Sequence, residues 1–126
     1  LVVWGQDGLD ELTLGGASLV GELRDGQVRE YELHPEDFGL PMSGSRGLAV
    51  ANATESRDRI LEVLDGGAGP ARDIVLLNSG AALYAAGRAP DIAQGIEQAR
   101  QALTSGAARR KLDQFVAATQ RLRGAG

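Results

Sequence analysis

The stretch LVVWGQDGLDE at residues 1–11 decides the predicted fold. Its first part, Leu1–Trp4, is a continuous apolar run, which is typical of a parallel strand that is buried on both faces. The glycine-bearing and acidic residues 5–11 follow directly. Open α/β sheets place their ligands at this position, outside the carboxyl ends of their strands. The stretch therefore predicts a buried parallel-type strand that leads into a functional loop.

Strand and turn signals continue through the first 50 residues. Asp25-Gly26 predicts a hairpin, because both residues tolerate the positive φ that a type I′ turn requires. Glycine and proline then indicate turns and a mobile polar loop. The predicted elements are a short strand at Leu12–Leu14, hairpin strands at 17–23 and 27–33, a turn or single helical turn at 35–39, and a loop at 41–47.

Residues 51–126 have the apolar spacing of about four helices. Asn52 with Glu55 three residues later predicts a capping box at the start of the first, and Pro90 is expected to open the third. The predicted apolar stripes are Ile60, Leu61 and Leu64; residues 74–86; Ile92, Ile96, Ala99 and Leu103; and Leu112, Phe115, Val116, Thr119 and Leu122. A strand and a hairpin followed by helices predict an α/β fold.

Composition excludes several classes of function. The 126 residues are enough for one domain, and 43% hydrophobic with 24% charged residues excludes wholesale disorder. No apolar run approaches the ~20 residues of a membrane span, so no membrane partner is expected. The chain has no cysteine, which excludes thiolate chemistry and fits a cytoplasmic location. The single histidine, His34, excludes a multi-histidine zinc site and is expected in a turn.

The charge pattern does not favour nucleic-acid binding, which normally needs a concentrated basic surface. The net charge is −4, and the acidic excess lies in the first 50 residues. The only basic run, residues 109–111, lies on a predicted helix with an apolar stripe and is expected to be its solvated face. No nucleic-acid partner is expected.

The acidic stretch at residues 5–11, with Asp10 and Glu11 adjacent at its end, is a candidate metal site. Adjacent carboxylates on a loop suit Mg²⁺, which prefers oxygen ligands and is often shared with substrate phosphates. The alternative is an ordinary polar turn, where aspartate and glycine are common for conformational reasons. Asn78, inside the most apolar predicted helix, is expected to bind neighbouring backbone groups rather than to take part in chemistry. Residues 66–70 are expected to be a loop between helices rather than a phosphate-binding loop, because they lack the P-loop lysine.

Residues 2–11, VVWGQDGLDE, resemble a stretch in the C-terminal part of the anthranilate phosphoribosyltransferase family. The other similar stretches follow in the family's order and spacing: 31–40, 63–64, 69–78, Gly95 and 105–108. The resemblance covers essentially the whole chain. It implies that residues 1–126 are a C-terminal fragment of a glycosyltransferase-family-3 α/β domain.

The resemblance implies a homodimeric, Mg²⁺-dependent enzyme of tryptophan biosynthesis. Such an enzyme transfers the phosphoribosyl group of phosphoribosyl pyrophosphate to anthranilate and releases pyrophosphate. The family's acidic pair holds Mg²⁺, and that role carries over to Asp10 and Glu11, whereas Asp7 is assigned to the turn. Trp4 stands where relatives usually have histidine, which affects the packing expected there.

The family's glycine-rich diphosphate loop, Gly-Thr-Gly-Gly-Asp, and its acceptor pocket are absent from these 126 residues. The fragment alone is therefore expected to be inactive. Two alternatives remain open. One is an enzyme similar to pyrimidine nucleoside phosphorylase, against which the Asp-Gly-Leu-Asp-Glu motif at 7–11 argues. The other is a non-catalytic interaction module.

Overall fold

The computed structural model describes residues 1–124, which form a three-stranded sheet followed by four helices. The strands are β1 (Val2–Gly5), β2 (Ser18–Arg24) and β3 (Gln27–Leu33), and the helices are α1 (Ala53–Leu64), α2 (Pro70–Ala85), α3 (Ile92–Thr104) and α4 (Ala107–Arg123). Short 3-10 helices at Pro35–Phe38 and Ser45–Leu48 connect the two parts. The predicted α/β class is confirmed. The helical region was expected to extend to 126, and residues 125–126 lie outside the described part.

The hairpin of β2 and β3 forms as predicted. Its turn residues Asp25 and Gly26 have φ of 52° and 74°, the left-handed values that a type I′ turn requires. The predicted strand at Leu12–Leu14 is wrong, because these residues have no strand partner in the sheet. Leu12 and Leu14 instead enter the hydrophobic core, where each is 1% exposed.

β1 forms where a strand was predicted, but within residues 1–124 it has no parallel partner. β1 is an edge strand of the described sheet, where it pairs with β2 in antiparallel register, with Val2 opposite Gly21 and Trp4 opposite Leu19. Val2 is 77% exposed and Trp4 is 49% exposed, so the strand is not buried on both faces. A short apolar run does not specify which strand will pair with it. Here the partner is β2, the first strand of the hairpin.

Helices α2 and α3 form the most extensive helix contact, and glycines at their crossing explain why. Gly80 of α2 and Gly95 of α3 face each other so closely that a Cβ on Gly95 would lie 3.0 Å from the Gly80 Cα. The predicted stripe of α3 is buried throughout, at Ile92, Ile96, Ala99 and Leu103. Together with α2 leucines, Val20 and the buried leucines after β1, this stripe forms one core.

The outer helices fit their predictions only in part. Asn52 caps α1, since its Oδ1 accepts a hydrogen bond from the Glu55 amide at 2.9 Å. The predicted capping box is not complete, because the Glu55 carboxylate accepts the Ala51 amide instead of the Asn52 amide. Asp91, not Pro90, caps α3. In α4 the predicted stripe is largely exposed, with Phe115 at 63%, because no described element covers it. None of the described helices has the length and apolarity to cross a membrane.

Candidate metal centre on the acidic loop

The candidate site runs from the last residue of β1, Gly5, to Gly15, and we call this segment the acidic loop. Asp10 and Glu11 lie at its middle, and the loop then turns inward at Leu12. Asp10 is exposed, whereas Glu11 is half-buried. The loop therefore places two adjacent carboxylates at the surface, directly beside a buried segment.

Asp7 organises the first half of the acidic loop. Its Oδ1 accepts the Leu9 amide at 3.2 Å, and its Oδ2 accepts the Thr13 hydroxyl at 2.7 Å. Neighbouring glycines leave room for this carboxylate: a Cβ on Gly5 would lie 2.7 Å from Oδ1, and a Cβ on Gly15 would lie 2.6 Å from Oδ2. Asp7 is a turn residue, as predicted, and it also joins the two ends of the loop.

Asn78 of α2 holds the second half of the loop. Its Oδ1 accepts the Leu12 amide at 3.0 Å, and its Nδ2 donates to the Leu12 carbonyl at 2.9 Å. The same Nδ2 donates to the Ile74 carbonyl at 3.1 Å, one helical turn earlier. The prediction that Asn78 binds backbone groups is confirmed. The group it binds, however, lies 66 residues away and next to the acidic pair.

Burial and the neighbouring Asp10 charge both raise the pKa of Glu11, burial being the larger cause. Both causes disfavour the charged form of Glu11. A bound cation would relieve the repulsion between the Asp10 and Glu11 carboxylates. Hard carboxylate oxygens are ligands that Mg²⁺ accepts. The residues present therefore fit this ion.

No group of three or more potential metal-ligating side chains occurs in residues 1–124. Asp10 and Glu11 can thus supply only part of a coordination shell. This suits Mg²⁺, which usually keeps several waters and shares its remaining positions with substrate phosphates.

Sequence reasoning missed a polar cluster that ties the hairpin to α2. The Glu22 carboxylate accepts hydrogen bonds from the hydroxyls of Tyr31, at 3.1 Å, and Tyr84. Arg24 donates to the Tyr84 hydroxyl at 2.9 Å. The hairpin register could have placed Glu22 near Tyr31 on one face of the sheet. No local signal connects either residue to Tyr84, which comes from α2.

Other predicted features have structural roles. His34 lies in the turn before Pro35, where its amide donates to Asp37 at 2.9 Å. Residues 66–69 connect α1 to α2, as predicted. Arg109 of the basic run forms an ion pair with Asp65 at 2.7 Å and so joins α4 to the end of α1.

A family described as "Glycosyl transferase family, a/b domain" has a sequence model that matches residues 1–109. The chain belongs to this glycosyl transferase family. The anthranilate phosphoribosyltransferase of Herminiimonas arsenicoxydans is 65% identical over 122 residues, which are 97% of this chain and 35% of that protein. The enzyme of that name from Xanthomonas campestris pv. campestris (strain B100) is 66% identical over 120 residues, 95% of this chain and 35% of that one.

Solved structures of this glycosyl transferase family agree with the fold. Anthranilate phosphoribosyltransferase from Thermus thermophilus superposes with a TM-score of 0.82 at 37% identity, over 91% of this chain and 34% of that chain. The Saccharomyces cerevisiae enzyme in complex with PRPP and Mg superposes with a TM-score of 0.76 at 29% identity, over 94% of this chain and 34% of that chain. The resemblance inferred from the motifs is confirmed. The chain spans about a third of the length of the curated relatives it matches.

Proposed function

We propose that this chain forms part of an Mg²⁺-dependent anthranilate phosphoribosyltransferase and supplies its acidic metal-binding loop. The supporting observation is the 65% identity to the Herminiimonas arsenicoxydans enzyme over nearly the whole chain. The reaction transfers the phosphoribosyl group of phosphoribosyl pyrophosphate to the amino group of anthranilate. The yeast relative solved with PRPP and Mg supports both the substrate and the ion.

The carboxylates of Asp10 and Glu11 are the groups that would hold Mg²⁺. Bound Mg²⁺ would neutralise negative charge as it develops on the departing pyrophosphate. The chain's own contribution is to hold two like charges side by side on a loop that is fixed at both ends. Because the pair would otherwise repel phosphate, the strongly acidic first half of the chain fits metal-bridged binding better than direct phosphate binding.

The test uses a chimaera in which this chain replaces the matching segment of the Herminiimonas arsenicoxydans protein. Turnover is followed by the loss of anthranilate fluorescence, with phosphoribosyl pyrophosphate present and Mg²⁺ varied. Asp10→Asn and Glu11→Gln keep side-chain size but remove the charge that the ion requires. We expect each to raise the Mg²⁺ concentration for half-maximal rate by about 10- to 100-fold.

Glu30→Gln is the matched control, because it removes an exposed carboxylate of β3 outside the acidic loop. We expect its Mg²⁺ dependence to be unchanged. A chimaera that folds but has no turnover would contradict the proposed activity. Unaltered Mg²⁺ dependence in both acidic-loop variants would instead leave Asp10 and Glu11 as ordinary turn residues.

The isolated chain should not catalyse the reaction. It lacks the glycine-rich diphosphate loop and acceptor pocket of the family, so neither reactant would be positioned. Measurable turnover by purified 126-residue protein, free of any longer relative, would refute this. A homodimer and a cytoplasmic location are part of the same proposal, and size-exclusion chromatography with light scattering tests the dimer in the chimaera.

A further inference from the structure

Asn78 is unusual because its whole amide group is bound to backbone. Both of its donor interactions are to carbonyls, those of Leu12 and Ile74, and its oxygen accepts the Leu12 amide. Leu12 is 1% exposed and is not part of a strand, so no sheet ladder is available to satisfy its backbone groups. A side chain from α2 takes the place of a strand partner.

The hydrogen bonds at Leu12 and Leu9 enclose the acidic pair. The Leu12 amide that Asn78 accepts belongs to the peptide group immediately after Glu11. On the other side, the carbonyl of Leu9, in the peptide group immediately before Asp10, accepts the Gly5 amide at 2.9 Å. The backbone ends of the dipeptide are therefore fixed, one to β1 and the other to α2.

We propose that Asn78 is a positioning residue that fixes the Asp10–Glu11 dipeptide for divalent-cation binding through the backbone of Leu12. This rests on the proposed function of the pair as metal ligands. Adjacent carboxylates bind a cation well only when their oxygens are held near the required geometry, because otherwise binding must first order the loop. The rigid part that orders it is α2, whose anchoring side chain reaches the loop at 3.0 Å.

The test measures cation binding directly, with Mn²⁺ as the probe and electron paramagnetic resonance of free Mn²⁺ as the readout, in the chimaera. Asn78→Ala removes both side-chain hydrogen bonds to Leu12. Asn78→Asp keeps the volume and the acceptor for the Leu12 amide but loses both donor interactions. We expect each variant to bind Mn²⁺ about 10-fold more weakly and to need correspondingly more Mg²⁺ for half-maximal turnover.

Val63→Ala, a core truncation in α1, is the control for lost stability alone, since Val63 is 5% exposed and lies outside both the acidic loop and α2. We expect its Mn²⁺ affinity to be unchanged. If Asn78→Ala binds Mn²⁺ as Val63→Ala does, Asn78 is merely structural and the proposal is overturned. If Asn78→Ala does not fold, the decision rests on Asn78→Asp.

Two further results separate this proposal from the proposed function. If Asp10→Asn and Glu11→Gln bind Mn²⁺ normally, the metal role of the pair fails and the role of Asn78 fails with it. If those variants weaken Mn²⁺ binding but the Asn78 variants do not, only the positioning role is refuted. In the unmutated chimaera, saturating Mg²⁺ should also slow hydrogen exchange at the Leu12 amide, and an unchanged rate would contradict the coupling.

Discussion

Gly95→Ala should strongly destabilise the chain, because it adds a methyl group at the closest approach of α2 and α3. The new Cβ would overlap the Gly80 carbonyl oxygen and lie 3.0 Å from both the carbonyl carbon and Cα of Gly80. These atoms are backbone, so no side-chain rotation relieves the overlap. The two helices would have to move apart or turn.

The size of the effect is the difference between two opposing terms. Alanine is favoured over glycine inside a helix by about 1 kcal/mol. Overpacking a core typically costs about 1–3 kcal/mol, and the cost should be near the upper value here because the obstruction is backbone. The free energy of unfolding should therefore fall by about 2 kcal/mol.

Urea denaturation of the 126-residue chain, followed by far-ultraviolet circular dichroism, measures this loss. Ala93→Gly is the matched control on α3, because Ala93 is exposed and its exchange reports helix propensity alone. Its free energy of unfolding should fall by at most about 1 kcal/mol, because Ala93 lies in the first turn of α3 rather than in the helix interior. Alanine is thus preferred at position 93 and glycine at position 95, although both positions lie on the same helix.

A Gly95→Ala protein as stable as the original would refute the close-packing argument. The double variant with Gly80→Ala offers a second check. Once one methyl group has separated the helices, the second should cost less than it does alone, so the two losses should not add. Strict additivity would mean that the two glycines do not share one contact.

Three smaller predictions concern turns, caps and titration. Burial first, and then the bond to Glu22, raise the pKa of Tyr31 to about 12. The stability that Tyr31 contributes is fully present below the ordinary tyrosine pKa and is lost as the pH rises through about 12. In an ultraviolet titration, the Tyr31→Phe variant should lack this late ionisation. Asn52→Ala should cost about 1 kcal/mol in urea denaturation, because it removes the cap of α1. Gly26→Ala, at a φ of 74°, should cost about 1 kcal/mol in the same assay, and a neutral result would contradict the type I′ turn.

Local signals in the sequence predicted the elements that local chemistry determines. The turn at Asp25-Gly26 needs only two residues that accept positive φ, and both adopt it. The stripe of α3 follows from helical spacing, and all of it is buried. In each case the deciding interaction lies within a few residues of the signal.

The failed predictions concern partners that lie far away in the sequence. The apolar run at Leu1–Trp4 fits a buried parallel strand as well as the edge strand that forms, because apolarity does not specify a partner. The stripe of α4 likewise predicts a helix with one apolar face, but Phe115 and Leu122 remain 63% and 74% exposed. Amphipathicity predicts that a face can be buried, not what covers it.

The candidate site shows the same division. Asp10 and Glu11 could be singled out from a short motif, and Asp7 could be assigned to the turn, since its bonds stay inside the acidic loop. The contact between Asn78 and Leu12 could not be predicted. An asparagine in an apolar helix indicates only that some backbone group needs a partner, and here that group lies 66 residues earlier.

The anchoring of the acidic loop and the packing of the core depend on the same helix. Asn78 is two residues before Gly80, so the side chain that binds Leu12 and the glycine that admits α3 lie within one turn of α2. Burial first, and then the neighbouring Asp10 charge, raise the pKa of Glu11, so the folded loop disfavours the charged form of this carboxyl. The side chain of Asn78 on α2 holds the backbone that follows Glu11, because the described loop has no strand pairing of its own at Leu12. Under the proposed positioning role of Asn78, a shift of α2 that lengthened the 3.0 Å contact to the Leu12 amide would free the backbone beside the carboxylates as well as loosen the core.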